Sequence, residues 1–277
     1  MVNVKNIYEY LSLFAPLEYK MDFDNVGLLV GRAKDEVSNI LVSLDITSDV
    51  VTEALDTDVQ LIVSHHPLFF SLKNVNDQDV IGQKIIRMLR GGISAICMHT
   101  NLDAARGGVN DALAAAAGIS TVNTSDINPK YGREAALLNE DGFLPNGEAF
   151  SYGRFGCIKS PCSLPEYLQV LKKALGANGL RYHNAGREVC KVAIEGGAGG
   201  DALRHALDKS CDTFITADIK YDVFLEAKEL GINLIDGGHY CTENLITNVL
   251  KEKLCDAFPS VRATISSIHK QTPQFFV

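Results

Sequence analysis

Residues 40–67, ILVSLDITSDVVTEALDTDVQLIVSHHP, decide the fold class. The run ILVSLDI (40–46) is short, apolar and rich in β-branched side chains, the pattern of a buried strand. SDVVTEALD follows with apolar residues at helical spacing and Ser48 as a candidate cap. VQLIVS (59–64) is a second strand, and Pro67 ends it just after His65 and His66. Strand, helix and strand in so short a span describe a unit whose two strands lie parallel.

The same alternation runs outward in both directions. DVIGQKIIRMLRGG is predicted helical up to its glycines, ISAICM (93–98) is a strand, and GGVNDALAAAAG is an alanine-rich helix ended by Gly118. In the second half VCKVAIE (189–195), DTFIT and INLIDGG are strands, and GGDALRHALDKS, YDVFLEAKELG and TENLITNVLKEKL are helices. EALDTDVQLIVSHH can be laid against HALDKSCDTFITAD, and LRGGISAICMH against KELGINLIDGGH. This is the signature of a long-period duplication. The expectation is an α/β protein of two similar lobes, residues 1–125 and 189–277, joined by a connecting segment, 126–188. NTSDINPKYGREAALLNEDGFLPNGEAFSYGRFG is predicted as loops or a hairpin, and SLPEYLQVLKKALG as a helix capped by Ser163 with Pro165 in its first turn.

Bulk composition narrows the function. With 46% hydrophobic and 22% charged residues, the chain has ample material for a buried core. A net charge of −8 argues against a nucleic-acid partner, because phosphate backbones call for a basic face. An acidic chain can still act on an anion if a metal supplies positive charge. Seven cysteines without C-x-x-C spacing read as reduced thiols, and MVNVKNIYEYLSLFAP does not read as a signal peptide. No apolar run approaches the roughly 18–20 residues of a spanning helix. These features lead us to expect a cytoplasmic location.

Sites in open α/β sheets form beyond the carboxyl ends of the strands. There the sequence puts His65 and His66, then His99 with Asp103 in CMHTNLDAARGG, then His239 with Glu243 in DGGHYCTENL. On a pleated strand the neighbouring His65 and His66 side chains would diverge, so two adjacent ions could take one each. A carboxylate can bridge two ions, which neutral imidazole cannot. A mixed histidine and carboxylate set suits Zn, Fe, Mn, Co or Ni better than Mg or Ca. The pattern thus predicts a dinuclear site, with ions about 3.5–4 Å apart and a water activated at neutral pH. His99 fits three roles: ligand, proton shuttle, or partner orienting Asp103. His183, His205 and His269 read as hydrogen-bonded loop residues, and Cys97 and Cys241 lie near the motifs, Cys241 as a buried small hydrophobe with a soft metal ligand as the alternative. GGAGGDAL (196–203) superficially matches a dinucleotide loop, but the repeat explains it as a strand-to-helix turn.

DNVGLLVG, VSHHPLFF, MHTNLDAARGGVNDALA, YGRFG and DGGHYCTEN, in that order, resemble the Nif-three-like family, often labelled type-two GTP cyclohydrolase I homologues. The resemblance spans roughly residues 5–265. It implies two α/β lobes clasping a dinuclear metal site and subunits assembled in a toroidal homohexamer. His65, His66, Asp103, His239 and Glu243 are the implied ligands, with Glu243 bridging and His99 lining the cavity. Some members carry a large inserted domain, for which the bridge here is too short. The chain departs from the common pattern at Phe23 (tryptophan in many members), at Thr216-Ala217-Asp218 (Thr-Gly-Asp or Thr-Gly-Glu) and at Asp222 (often histidine).

The function expected is a metal-dependent hydrolase with Glu243 and His99 as its catalytic residues. It would act either in GTP ring opening, where water attacks C8 of the purine and formate leaves, or on a phosphoester. The alternative is a non-enzymatic metal-binding oligomer for metal storage or delivery, or an interaction platform. A nucleotide-binding regulator using the Gly196–Gly200 turn is a third reading.

Overall fold

The computed structural model describes residues 1–120 and 135–276, and the backbone of Ile127–Asn128 and Gly132–Arg133. Its first elements are α1 (Val4–Phe14), β1 (Gly27–Val30), β2 (Asn39–Ser43), α2 (Ser48–Asp56), β3 (Leu61–Ser64), α3 (Val80–Arg90), β4 (Ser94–Cys97) and α4 (Thr100–Ala104). Then come α5 (Val109–Ala116), β5 (Ile119–Ser120), β6 (Ile127–Asn128), β7 (Gly132–Arg133), β8 (Ala136–Leu137), β9 (Gly142–Phe143), β10 (Ala149–Phe150) and β11 (Arg154–Cys162). After α6 (Leu164–Leu175) and β12 (Arg181–His183) the chain alternates through β13 (Val189–Ile194), α7 (Leu203–Asp208), β14 (Thr213–Thr216), α8 (Tyr221–Leu230), β15 (Asn233–Asp236) and α9 (His239–Glu243). It ends in α10 (Ile246–Ala257) and β16 (Arg262–Ile265). Two compact units result: unit one is Met1–Arg106 with Ile246–Lys270, and unit two is Gly107–Leu245 with Gln271–Val277.

Unit one is built on a five-stranded sheet in the order β1-β4-β3-β2-β16. The four strands from β4 to β16 run parallel, and β1 lies antiparallel on β4. The continuous apolar runs read from the sequence are needed because every residue of β3 and β4 is buried. Leu41, Ile62 and Ala95 face α2 and α3, where Val50, Val51, Ala54, Ile85 and Met88 close over them. Their strand neighbours Ile40, Val42, Leu61, Val63 and Ile96 point the other way and are equally buried. Each such side chain contributes roughly 1.5–3 kcal/mol. The α2 cap is Thr47, whose hydroxyl accepts from the Val50 amide; Ser48, the candidate from sequence, is the first helical residue.

Unit two has the sheet order β12-β15-β14-β13-β11-β5, with β8 also on β11. Its β13, β14 and β15 are parallel, and β12 and β11 flank them antiparallel. Val192, Ile194, Ile215 and Ile235 face Leu113 of α5 and Tyr167 and Leu171 of α6. Ala193, Phe214 and Leu234 face Leu203 and Ala206 of α7 and Ala227 of α8. Helix α6 starts as its sequence predicts, with Ser163 and Glu166 in a reciprocal capping box, and stops at Gly176, which takes φ +60°.

Three expectations need correction. The helix read over GGDALRHALDKS is a 3-10 turn, Gly200–Ala202, followed by the six-residue α7, because the glycines at 196–200 oppose helix. TENLITNVLKEKL is divided, its first residues finishing α9 and the rest forming α10. The loops or hairpin read before α6 do include the hairpin of β9 and β10, but also the nine-residue β11. Gly156 and Pro161 hid that strand, and its pairing with β13 shifts register between Cys157 and Cys162. Residues 126, 129–131 and 134 of the predicted connecting segment lie outside the described residues. Among the described residues, no helix is long and apolar enough to cross a membrane.

Candidate metal centre

In unit one, β3 delivers His65 and His66, and β4 delivers His99 as the residue preceding α4. Their ring centroids are 5.0 Å (65–66), 5.2 Å (65–99) and 5.6 Å (66–99) apart. One ring nitrogen from each falls within 4.8 Å of the other two, close enough to share an ion. The divergence expected of neighbouring His65 and His66 does not occur. The strand ends at Ser64, whose hydroxyl donates to the His66 carbonyl, so the pleat no longer governs the pair. Asp103, on the turn of α4, places Oδ1 3.5 Å from Nε2 of His65.

Each imidazole is oriented through Nδ1. That of fully buried His65 donates to the Met98 carbonyl at 2.9 Å. That of His66 donates to Asp45 Oδ1 at 2.7 Å, and that of His99 to Asp24 Oδ1 at 2.8 Å. A carboxylate or carbonyl can only accept, so Nδ1 carries the proton and the lone pair sits on Nε2, the form that ligates a metal. Asp24 is itself fixed by the amide and hydroxyl of Thr100. Burial pushes its carboxyl up, but the bonds from His99 and Thr100 outweigh that and hold it down at about 2. Asp45 is treated alike: burial opposes ionisation, and His269 and His66 hold it well below the usual carboxylate range.

In unit two, β15 runs into Gly237 and Gly238, and α9 carries His239 and Glu243 one turn apart. Nε2 of His239 lies 3.1 Å from Oε2 of Glu243, and Nδ1 donates to Asp218 Oδ2 at 2.7 Å. Asp218 holds φ +51°, rare for a non-glycine residue, which aims its carboxylate at the ring. Gly197, at φ +64°, packs so tightly on Glu243 that a Cβ there would stand 2.2 Å from Oε1. Its amide donates to the Thr242 hydroxyl, and its carbonyl accepts from Ala217 N–H. The GGAGG turn therefore serves as the seat of a carboxylate. Within each unit the donors suit a divalent ion of the first transition row: imidazoles whose Nδ1 is already engaged, which leaves Nε2 for an ion, with a carboxylate beside them.

Other motif residues take structural roles. Arg154 of YGRFG is buried and donates Nε to Asp111 at 2.6 Å and Nη1 to the Ser151 carbonyl at 2.7 Å. Cys241 sits in the core of unit two, where burial pushes its thiol up to about 11. Cys97 is buried and donates to the His65 carbonyl. His205 and His269 are hydrogen-bonded, to Asn139 and Asp45. Phe23 and Phe70 are exposed, 6.0 Å apart, and Phe70 stands 5.8 Å from the His99 ring. Sequence reasoning missed Asp24, Asp45 and Asp218. Asp45 follows a strand end just as His65 does, a signal that could have found it.

The model of the Duf34/NIF3 (NGG1p interacting factor 3) family matches residues 2–273, and the chain belongs to that family. The "GTP cyclohydrolase 1 type 2 homolog" of Clostridium perfringens is 31% identical over the whole of both chains. A Helicobacter pylori protein named "GTP cyclohydrolase 1 type 2" is 30% identical and covers 92% of each chain. Among solved structures, the Staphylococcus aureus protein SA1388 has a TM-score of 0.85 at 26% identity, covering 99% of both chains. A Bacillus cereus protein related to NIF3 has the same TM-score at 22% identity, covers 100% of this chain and 99% of that one, and shares the fold.

Proposed function

We propose that this chain is a metal-dependent hydrolase that holds two divalent ions (Zn, Fe, Mn, Co or Ni) with His65, His66, Asp103, His239 and Glu243. The observation that carries the proposal is the group of three imidazoles, His65, His66 and His99, with donors within 4.8 Å and every Nδ1 already committed. With Nδ1 engaged in each ring, Nε2 is the atom left to meet an ion. The same order of three parallel strands in each unit supports reading the two as duplicated α/β lobes, each supplying a histidine and carboxylate pair.

A divalent ion supplies two things when bound: a water acidic enough to lose its proton near neutral pH, and polarisation of the electrophile. The chain's own groups do the rest. His99, with Nδ1 anchored on Asp24, presents Nε2 to take and return a proton. Glu243, buried and braced by Gly197, keeps its carboxylate in one position. The names of the relatives support GTP ring opening, and exposed Phe70 beside His99 offers a flat apolar surface for a purine. Phosphoester hydrolysis is the second reaction such donors support. The family resemblance adds a toroidal homohexamer, which light scattering on the purified protein tests.

The deciding experiment is turnover of GTP and of a generic phosphodiester by metal-loaded wild type and Glu243→Ala. The proposal expects turnover in wild type and its loss in the variant. Metal binding without turnover across a broad panel of substrates would instead make the chain a metal store or carrier.

A further inference from the structure

Asp45 is held from two sides. Its Oδ1 accepts from His66 Nδ1 at 2.7 Å, and its Oδ2 accepts from His269 Nε2 at 2.9 Å. His269 reaches it from the far end of the sequence, and its own segment is pinned in turn. The His269 amide donates to Ser266 Oγ, the Ser266 hydroxyl donates to Glu53 Oε2 at 2.5 Å, and the Ser267 amide and hydroxyl both donate to Glu53 Oε1. A continuous brace thus runs from Glu53 on α2 through Ser266 and His269 to Asp45 and His66, all inside unit one.

The three imidazoles are supported unequally. His65 leans on a backbone carbonyl, which cannot swing away. His99 leans on Asp24, whose side chain is completely buried and doubly tied to Thr100. His66 leans on Asp45, whose side chain is 39% exposed and could rotate about χ2 were only one oxygen engaged. His269, with a side chain only 8% exposed, supplies the second tie.

We infer that His269 and Asp45 act as positioning residues, fixing the ring plane and tautomer of His66 so that Nε2 is presented for metal binding. The inference rests on the metal-binding reading above, and it adds a residue about 200 positions away from the motif it serves.

The test uses the full-length apo protein. Nitrogen-15 NMR of the histidine side chains reads the His66 tautomer without any substitution, and the Nδ1–H form is expected. An Nε2–H form in wild type overturns the inference. Titration with Zn²⁺, and with Co²⁺ followed by its visible spectrum, then compares wild type, Asp45→Ala, His269→Ala and His269→Gln. Loss of such a supporting partner costs 10–100-fold in metal affinity, so Asp45→Ala and His269→Ala should fall in that range and lose the wild-type Co²⁺ spectrum. His269→Gln keeps an N–H donor towards Asp45 and should recover most of the affinity. If His269→Ala binds as tightly as wild type, with the same spectrum, the positioning role is refuted while the metal reading stands. If His269→Gln is as impaired as His269→Ala despite a wild-type melting temperature, the hydrogen bond to Asp45 is not the cause and the inference fails. A wild type that binds no metal, yet shows the Nδ1–H tautomer, would sink the metal reading and leave the brace intact.

Discussion

Nε2 of His239 and Oε2 of Glu243 stand 3.1 Å apart on one helical turn, while Nδ1 of the same ring donates to Asp218. With Nδ1 as the donor, two electron-rich atoms face each other unless a proton or a metal cation lies between them. Metal uptake at neutral pH should therefore displace a proton. Calorimetric titration with Zn²⁺ in buffers of different ionisation enthalpy measures this. The expected result is an apparent enthalpy that varies with buffer; a buffer-independent enthalpy would contradict it.

Gly197 gives a second prediction. Its positive φ and the 2.2 Å approach of a built Cβ to Glu243 Oε1 leave no space for alanine. Gly197→Ala should displace the Glu243 carboxylate and lower metal stoichiometry. It should also cost about 1–3 kcal/mol in stability through backbone strain. Denaturant melts of apo and metal-loaded protein check both effects, and the metal-loaded form should lose more.

The Arg154–Asp111 pair ties β11 to α5. Removing Asp111 leaves a buried guanidinium short of its charge partner, which costs roughly 3–5 kcal/mol. Asp111→Ala should lower the free energy of unfolding by that much, read from the midpoint and slope of a denaturant melt. Arg154→Met should cost less than Asp111→Ala, since it removes the buried charge altogether.

Glu195, at the end of β13, carries the pH prediction. Burial, with Asp141 and Asp201 adding their repulsion, raises its carboxyl from 4.5 to about 8. The folded protein therefore keeps a proton that the unfolded chain releases above pH 4.5. Stability contributed by the neutral carboxyl is complete below that point and is lost as pH rises towards 8. Glu195→Gln is neutral throughout. It should match wild type near pH 4 and exceed it by about 2 kcal/mol near pH 8, less than the full shift because the carboxyl keeps partial access to solvent. Equal stability of the two proteins at every pH would refute this.

How far the sequence led depends on how local each signal is. The parallel strands were legible because burial on both faces demands unbroken apolar runs, as in LIVS and TFIT. The histidines were legible because strand ends collect functional groups. What carries no local mark is long-range pairing. Asp24 serves His99 across 75 positions, and nothing about MDFDNV announces it beyond the family motif. His269 read as an ordinary hydrogen-bonded residue, and so it is; its partner gives it significance. The long strand β11 was hidden by its own glycine and proline, since an antiparallel strand with an irregular register tolerates both.

The late strand β16 runs parallel to β2, registering Ala263 against Ile40 and Ile265 against Val42. Unit one is thus discontinuous in the gene's own order, opened at Arg106 and resumed at Ile246. During synthesis β2 must wait with one bare flank until residues 262–265 have left the ribosome. A fragment stopped at Arg106 would carry that raw edge permanently, inviting self-association, and no clean cut by residue number can separate the two units.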